Sequence, residues 1–272
     1  MSTVVFLGGG RITSAMLAGL QLSKTRYRLV VHDRNPGKLS DLKKHYKVAV
    51  EPELDSAFKQ ADLLIVAIRP DSVRELLGSV QRLPAKTNGV VAGKRTLAIS
   101  LAAGIPMSVL SKLTGPAVNW ARAMPSPVCR SGRGLTAIAF PRSTTLADRK
   151  RVNDLFARVG QVIEIPESKF DAFTVTYSSS HGYHALAMLA KAAQKAGLDR
   201  NTALLASAHA LADGIIAWRE GNSSLESLIE EAVTPGGIAA STTSAMDAAG
   251  YERAVRQGVA AGLRRARANA SK

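Results

Sequence analysis

The chain has 272 residues, of which 46% are hydrophobic and 21% charged, and its formal net charge is +15 at pH 7. This composition excludes a disordered chain and allows one large core or two moderate ones. The single cysteine, Cys129, excludes an intramolecular disulfide and a cysteine-based metal cluster, and it favours a reducing cytoplasm. We find no signal segment and no apolar run of membrane-spanning length, so we expect no membrane partner. The positive charge alone is compatible with nucleic acid, acidic lipid or small anionic ligands. The basic residues are scattered apart from Arg264, Arg265 and Arg267, and no aromatic residues are interleaved with them, so we expect no nucleic-acid partner.

The first half of the chain alternates between strand and helix patterns. A β-branched segment at 3–7 is followed by Gly8-Gly9-Gly10 and by a helical pattern. Further strands are predicted at 29–31, 48–50, 63–68, 97–100, 117–121, 135–140 and 162–165, with helices beginning near Pro36 and covering 146–159. Such alternation predicts a doubly wound parallel α/β sheet, because parallel strands need crossover connections.

After Pro166 the pattern becomes helical throughout. Ala- and Leu-rich helices are predicted at 187–196, 202–218, 225–232 and 251–268. We therefore predict a Rossmann domain over residues 1–165 and an all-α domain over residues 166–272.

The glycine segment predicts a dinucleotide site. Gly8 and Gly10 supply the first two glycines of the G-x-G-x-x-G/A pattern, and Thr13 takes the third position. Arg11 and Ile12 would then open a helix whose amide groups favour a pyrophosphate. The alternative is a sharp strand-to-helix turn without a ligand, but Asp33 closes the second strand at the distance expected for a ribose ligand.

The residues after the second strand permit either cofactor. Asp33 favours the ribose hydroxyls of NAD, whereas Arg34 and Asn35 favour the 2′-phosphate of NADP. We expect NADP or NAD, with NADP slightly favoured. Arg34 as a solvated turn residue is the alternative.

Three further segments carry a resemblance to a known family. They are Ala67-Ile68-Arg69-Pro70, Ala121-Arg122-Ala123-Met124-Pro125 and Val233-Thr234-Pro235-Gly236-Gly237. With the glycine turn, their order and spacing resemble pyrroline-5-carboxylate reductases. The family's helical-domain pattern D-A-x-T-x-x-S-G-S-G-P-A-Y is matched at Asp171, Ala172, Thr174, Ser179 and Tyr183.

The resemblance implies an all-α dimerisation domain, a homodimer and an active site between the cofactor domain and helices of a partner subunit. It also implies hydride transfer from a nicotinamide to a small cyclic imino acid, the step that forms proline. Cofactor contacts are then expected at Ala67, Arg69 and Pro70, and substrate contacts at Met124 and Pro125. Amides at Thr234, Gly236 and Gly237 would hold the substrate carboxylate if they open a helix.

The chain departs from the family where substrate is expected to bind. Ser126-Pro127-Val128 replaces the family's N-T-P, and Tyr177-Ser178-Ser179-Ser180-His181-Gly182-Tyr183 replaces S-G-S-G-P-A-Y. Ile238-Ala239 replaces the hydroxyl pair after Pro-Gly-Gly. These changes indicate an altered substrate or proton donor.

Candidate catalytic residues lie in the altered segment. Tyr177 and His181 are four residues apart and would share one helix face, where either could protonate an imine. Ser179 matches a family serine, and Ser178, Ser180 and Ser126 could bind the nicotinamide or substrate. The alternatives are that the aromatic side chains pack beside the pocket and that the serines bond their own helix. No metal site is expected, because no third ligand accompanies His181 and His184.

Three functions remain open from the sequence. The first is reduction of pyrroline-5-carboxylate or a close relative, motivated by the ordered motifs. The second is a related dehydrogenase or imine reductase for another small imine or carbonyl, motivated by the altered pocket. The third is a catalytically silent NAD(P)-binding protein, motivated by Ile238 and Ala239.

Overall fold

A computed structural model describes residues 2–82 and 96–271 of the chain. The chain divides into two compact units. One unit, here called the sheet unit, consists of Met1–Tyr177 and Ala261–Lys272, and the other, the helical unit, consists of Ser178–Ala260.

The sheet unit is built on eight strands. They are β1 (Thr3–Leu7), β2 (Arg28–His32), β3 (Ala49–Val50), β4 (Leu63–Val66), β5 (Thr96–Ser100), β6 (Val118–Met124), β7 (Gly134–Ala139) and β8 (Gly160–Glu164). Their order across the sheet is β3-β2-β1-β4-β5-β6-β7-β8. All neighbouring pairs are parallel except β6 and β7, which are antiparallel.

Within the described residues up to Tyr177, the sheet unit also contains seven α-helices. They are α1 (Arg11–Leu22), α2 (Pro36–His45), α3 (Leu54–Lys59), α4 (Val73–Gln81), α5 (Met107–Thr114), α6 (Leu146–Ala157) and α7 (Glu167–Thr176). The sheet has a core on each face, with Val4 and Phe6 in one and Val5 and Leu7 in the other. Burial on both faces explains why the strand sequences are continuously apolar.

The topology places the glycine turn at a switch point. β1 pairs with β2 on one side and with β4 on the other. The chain therefore leaves β1 and β4 in opposite directions, and a crevice opens at their carboxyl ends. Ligands of doubly wound sheets bind at this edge.

The helical unit contains α8 (Ser180–Lys195), α9 (Arg200–Glu220), α10 (Leu225–Ala232) and α11 (Ile238–Ala248). The last helix, α12 (Tyr251–Ala270), begins in this unit and ends in the sheet unit. Helices α8 and α9 pack against each other. Among the described residues, no helix combines the length and apolar character needed to cross a membrane.

The predicted fold class, a Rossmann sheet followed by an all-α region, is confirmed. The antiparallel β6–β7 pair is the main departure, since residues 125–133 are too few for a crossover helix. The compact units divide the chain after Tyr177, whereas the sequence pattern changes at Pro166. Phe170 of α7 is fully buried in the sheet unit's core, and the domain boundary at 165/166 stays a prediction.

Candidate active site

Gly8 makes the turn between β1 and α1 possible. Its φ is +109°, and a Cβ there would lie 2.5 Å from the carbonyl oxygen of Ala67. The Gly8 N–H donates to the carbonyl of His32 over 2.8 Å. Thr13 is fully buried, and its hydroxyl donates to the Gly8 carbonyl. Strands β1, β2 and β4 thus meet at a glycine that no larger residue can replace without strain.

The N-terminus of α1 suits an anion. Its N-cap, Gly10, supplies no side-chain hydrogen bond, and no acidic residue lies in the first turn. A Cβ on Gly10 would meet nothing within 4 Å, so a ligand can approach the backbone. Arg11 is exposed at the first helical position and Ile12 is half-buried. Unpaired amides and the helix dipole favour a phosphate group here, so these residues fit a dinucleotide.

Asp33, which follows β2, binds the glycine turn through a hydrogen bond. Its Oδ2 accepts the N–H of Gly9 over 2.7 Å, and its Oδ1 accepts the N–H of Asn35 over 2.9 Å. Desolvation by burial acts to raise the pKa of Asp33, but the hydrogen bonds from Gly9 and Asn35 and the charge of Lys38 outweigh it and lower the pKa. Asp33 is therefore ionised near neutrality. Gly9, which the sequence analysis did not select, contributes this contact.

The neighbours of Asp33 have separate partners. Arg34 forms an exposed ion pair with Glu75 of α4. The Asn35 side chain accepts the N–H of Lys38 and caps α2. An exposed ion pair contributes little stability, so Arg34 can exchange Glu75 for an anionic ligand at small cost.

The residues after β4 contact the glycine turn through backbone atoms more than through side chains. Ala67 is brought against Gly8, and its N–H donates to the carbonyl of Leu7 over 2.8 Å. The Arg69 side chain is 85% exposed and pairs with Asp71 at 3.1 Å. Pro70 opens a 3-10 turn that ends at Ser72. The structure thus joins Ala67 to the glycine turn, while cofactor contacts at Arg69 and Pro70 stay predictions.

Two of the altered positions touch each other. Met124 ends β6, and Pro125 and Ser126 follow it in buried positions. The Ser126 hydroxyl lies 3.1 Å from the Tyr177 hydroxyl, which also accepts the N–H of Leu135 over 2.8 Å. A phenol and a serine hydroxyl thus form a linked pair at the carboxyl end of β6.

The prediction that Tyr177 and His181 share one helix face is wrong. Tyr177 is the C-cap that follows α7, with φ −83° and ψ 37°, whereas His181 lies in the first turn of α8. The break has a local cause, since the hydroxyls of Ser178 and Ser180 lie 2.7 Å apart and the Ser180 N–H points to Ser178 Oγ. Such side-chain contacts compete with helical hydrogen bonds.

The helical unit presents the serine segment and the Pro-Gly-Gly turn. Ser178, Ser179, Ser180 and His181 are exposed. Gly236 has a φ of +75°, and the Gly237 N–H donates to the carbonyl of Thr234 over 2.9 Å. Gly237 then caps α11 without a side-chain bond and without an acidic residue in the first turn.

The prediction that Thr234–Gly237 opens a helix is confirmed, because α11 begins directly after Gly237. Binding of a carboxylate there stays a prediction. Hydroxyls one turn farther along α11 are engaged, since Ser241 and Thr242 donate to the carbonyls of Gly237 and Ile238. They do not replace the hydroxyl lost at Ile238.

Arg122, for which no role was predicted, is a buried charged residue of the sheet unit. Its side chain is 2% exposed and pairs with Asp171 at 2.7 Å and with Glu167 at 3.6 Å. The guanidinium also lies 4.2 Å from the ring centre of Phe170. The available signal was an arginine between two alanines, directly after the strand predicted at 117–121. Arg122 fixes α7, whose C-cap is Tyr177, to the strand that leads to Ser126.

Cys129 is buried and carries a neutral thiol. Burial raises the pKa of the Cys129 thiol to about 11, so the thiol is neutral and unreactive. Within residues 2–82 and 96–271, no group of three or more His, Cys, Asp or Glu side chains could hold a metal ion.

Comparison with known proteins identifies the relatives of this chain. Residues 3–91 match the family model "NADP oxidoreductase coenzyme F420-dependent", and residues 167–269 match "Pyrroline-5-carboxylate reductase dimerisation". The pyrroline-5-carboxylate reductase of Mycobacterium leprae is 30% identical over 215 residues, which cover 78% of this chain and 72% of the relative. The chain belongs to the pyrroline-5-carboxylate reductase family. The resemblance inferred from the motifs is therefore confirmed.

Full-length relatives and solved structures agree with this membership. The pyrroline-5-carboxylate reductase of Synechocystis is 27% identical over 263 residues and covers 95% of both chains. A reductase structure from Streptococcus pyogenes aligns with a TM-score of 0.85 at 22% identity, covering 98% of each chain. A pyrroline carboxylate reductase from Plasmodium falciparum, solved with NADP bound, aligns at 0.84 and 20% identity, covering 99% of this chain and 98% of that one. The structural matches establish the shared fold.

Proposed function

We propose that this protein reduces pyrroline-5-carboxylate to proline with NAD(P)H. The observation that carries the proposal is the glycine turn, where an uncapped α1 N-terminus faces open space at the switch point of the sheet. The substrate is proposed from the curated relatives named for this reaction, which align with 94% and 95% of this chain.

The sheet unit is proposed to hold the cofactor. NAD(P)H supplies the hydride that reduces the C=N bond. Amides at Gly10, Arg11 and Ile12 bind the pyrophosphate, while Gly8 keeps the backbone close to β4. Asp33 orders the turn through Gly9 and directs its remaining lone pairs to ribose hydroxyls. Arg34 is the ligand for a 2′-phosphate, which favours NADP slightly over NAD.

Substrate contacts are proposed for each unit separately. Met124, Pro125 and Ser126 contribute from the sheet unit. In the helical unit, Thr234, Gly236 and Gly237 lead into the N-terminus of α11, whose first-turn amides suit a carboxylate. Ser178 and Ser180 add exposed hydroxyls.

The proton donor is proposed to be Tyr177, with His181 and Ser179 as the other candidates. Reduction of a C=N bond leaves a nitrogen that must gain or retain one proton. The Tyr177 phenol is held by Leu135 and Ser126 at defined distances, whereas His181 and Ser179 are exposed. A hydroxyl held at defined distances is preorganised for proton transfer.

A panel of substrates tests the proposal. Oxidation of NADPH and NADH is followed with pyrroline-5-carboxylate, with a six-membered cyclic imino acid and with a cyclic imine that lacks the carboxylate. We expect the highest kcat/KM with pyrroline-5-carboxylate. No turnover of either imino acid, with reduced cofactor still binding, would contradict it and favour a silent NAD(P)-binding protein.

A second candidate is a related imine reductase or dehydrogenase with a different small substrate. The Ser126–Tyr177 contact favours it, because these two hydroxyls meet where the family patterns have an asparagine and a serine. Preferential turnover of the imine without a carboxylate, or of another small carbonyl compound, would support this candidate.

The assembly is proposed to be a cytoplasmic homodimer formed by residues 166–272, with the Rossmann domain at residues 1–165. The dimerisation family model covers residues 167–269. Large apolar side chains are exposed along the helical unit, including Leu205 at 64% and Ile215 at 56%. A second copy would remove this apolar surface from water.

A further inference from the structure

A basic groove lies on the sheet unit at the end of α1 opposite the glycine turn. It has a volume of about 760 Å³ and includes Lys24, Lys47, Arg130, Leu22, Tyr27 and Leu29 in its lining. Helix α1 has 12 residues, so at about 1.5 Å per residue the groove is roughly 18 Å from the glycine turn. This distance separates it from the proposed pyrophosphate site.

The groove carries positive charge without an internal counter-charge. Lys24, Lys47 and Arg130 are exposed, and none of them forms an ion pair within the described residues. No acidic side chain belongs to its described lining. Two ammonium groups and a guanidinium around one space attract a multiply charged anion.

The wall beside these cations is apolar. Leu29 is buried, Tyr27 is half-buried, and Leu22 is 66% exposed. Leu22 therefore has apolar surface that a bound molecule could cover. A cationic rim next to an apolar wall suits an anion with an apolar body better than a free inorganic ion.

Lys24 occupies its position at a conformational cost. Its φ is +50°, and it is the one non-glycine residue with positive φ in the described chain. The Thr25 N–H donates to the carbonyl of Leu20, which makes Lys24 the left-handed residue of a helix-ending motif. Glycine or asparagine is usual there, because a larger side chain is strained. The strained lysine places an ammonium group at the groove.

We infer that this groove is a second ligand site, and that it binds a small phosphate monoester with an apolar body. A phosphate monoester carries close to two negative charges at pH 7 and can accept hydrogen bonds from all three cations. Its apolar body lies against Leu22 and Tyr27. Arg130 belongs to the 3-10 turn Pro127–Ser131, so the ligand also contacts the turn that follows Ser126.

Calorimetric titration of the full-length protein with 1-naphthyl phosphate tests the site. The variant Lys24→Gly with Lys47→Gln removes two cations, and glycine at position 24 relieves the backbone strain, so this variant folds at least as well. The matched control is Lys112→Gln with Lys169→Gln, which removes the same charge from other exposed positions of the sheet unit. We expect the first variant to bind about tenfold or more weakly than the wild type, and the control to bind like the wild type.

Two further probes separate the phosphate from the apolar body. Inorganic phosphate should bind at least about tenfold more weakly than 1-naphthyl phosphate, and the variant Leu22→Asn should reduce that difference. Equal affinity of the two double variants would overturn the site, as would inorganic phosphate binding as tightly as the ester. A short single-stranded oligonucleotide that bound more tightly than the ester and required Lys24 and Lys47 would overturn the choice of a small ligand.

Discussion

Asp33 links the electrostatics of the glycine turn to its stability. Hydrogen bonds from Gly9 and Asn35 hold its carboxyl in the ionised form and lower its pKa in the folded chain. A carboxyl whose pKa is lower in the folded than in the unfolded state stabilises the fold above its unfolded pKa. That stability is lost as the pH falls through the folded pKa.

The variant Asp33→Asn should therefore be less stable than the wild type at neutral pH, and the difference should shrink below about pH 4. Urea unfolding across a pH series measures it, with Asp71→Asn in an exposed pair as the control. A difference that grew as the pH fell would contradict the role given to Asp33.

Tyr177 has a structural contact and a proposed chemical role, and one variant separates them. Tyr177→Phe leaves the Leu135 N–H without its acceptor, which should cost about 1 kcal/mol of unfolding free energy. If Tyr177 is the proton donor, kcat should also fall by about 100-fold or more. Ser126→Ala is the matched variant, since it breaks the hydroxyl contact and keeps the phenol. Unchanged kcat in Tyr177→Phe would move the assignment to His181 or Ser179.

The sequence predicts single residues where a backbone rule governs them. Gly8 was predictable because the turn needs a positive φ and close backbone approach, and Asp33 because it ends the second strand. The Ser126–Tyr177 contact was not, since it joins two segments 51 residues apart. The Arg122–Asp171 pair could not be predicted for the same reason. A buried charge needs a partner, and tertiary packing supplies that partner from a distant segment.

At the scale of the element, α1 has a proposed ligand site at each end. The pyrophosphate site is proposed at its N-terminus and the basic groove lies at its C-terminus. The helix packs on the 3-10 turn Pro127–Ser131 through Gly19, where a Cβ would lie 2.1 Å from the carbonyl oxygen of Cys129. This packing fixes the turn that follows Ser126. A backbone atom at that distance cannot rotate away as a side chain can.

Gly19→Ala should therefore lower the free energy of unfolding by about 2 kcal/mol, despite the higher helix propensity of alanine. Gly78→Ala in α4 is the control, because a Cβ there meets nothing within 4 Å. It should raise the stability by about 0.5–1 kcal/mol. Denaturant unfolding measures both, and similar shifts for the two variants would contradict the close packing.

Element positions were predictable where hydrophobic periodicity is strong. Strands β1, β2 and β5 and helix α9 lie close to their predicted positions. The break between α7 and α8 was missed because Tyr177 and His181 have ideal helical spacing, while the Ser178–Ser180 contact that interrupts the helix has no periodic signature.

At the scale of the whole molecule, the exposed apolar surface of the helical unit predicts self-association. Leu205→Lys puts a charge on that surface and should shift the protein from dimer to monomer at micromolar concentration. Leu146→Lys is the matched control, because Leu146 of the sheet unit is 85% exposed. Sedimentation equilibrium measures the oligomeric state of the wild type and of both variants. A monomeric wild type, or dissociation by both variants, would contradict the proposed dimer surface.

The measurement that tests the reductase assignment most directly is the stoichiometry of the complete reaction. Purified protein is mixed with limiting pyrroline-5-carboxylate and excess NADPH or NADH, and both proline formed and nicotinamide oxidised are quantified. We predict one proline for each nicotinamide, with Gly8→Ala inactive because its Cβ would lie 2.5 Å from the Ala67 carbonyl. Absence of proline with both cofactors, from folded protein that binds them, would contradict the assignment.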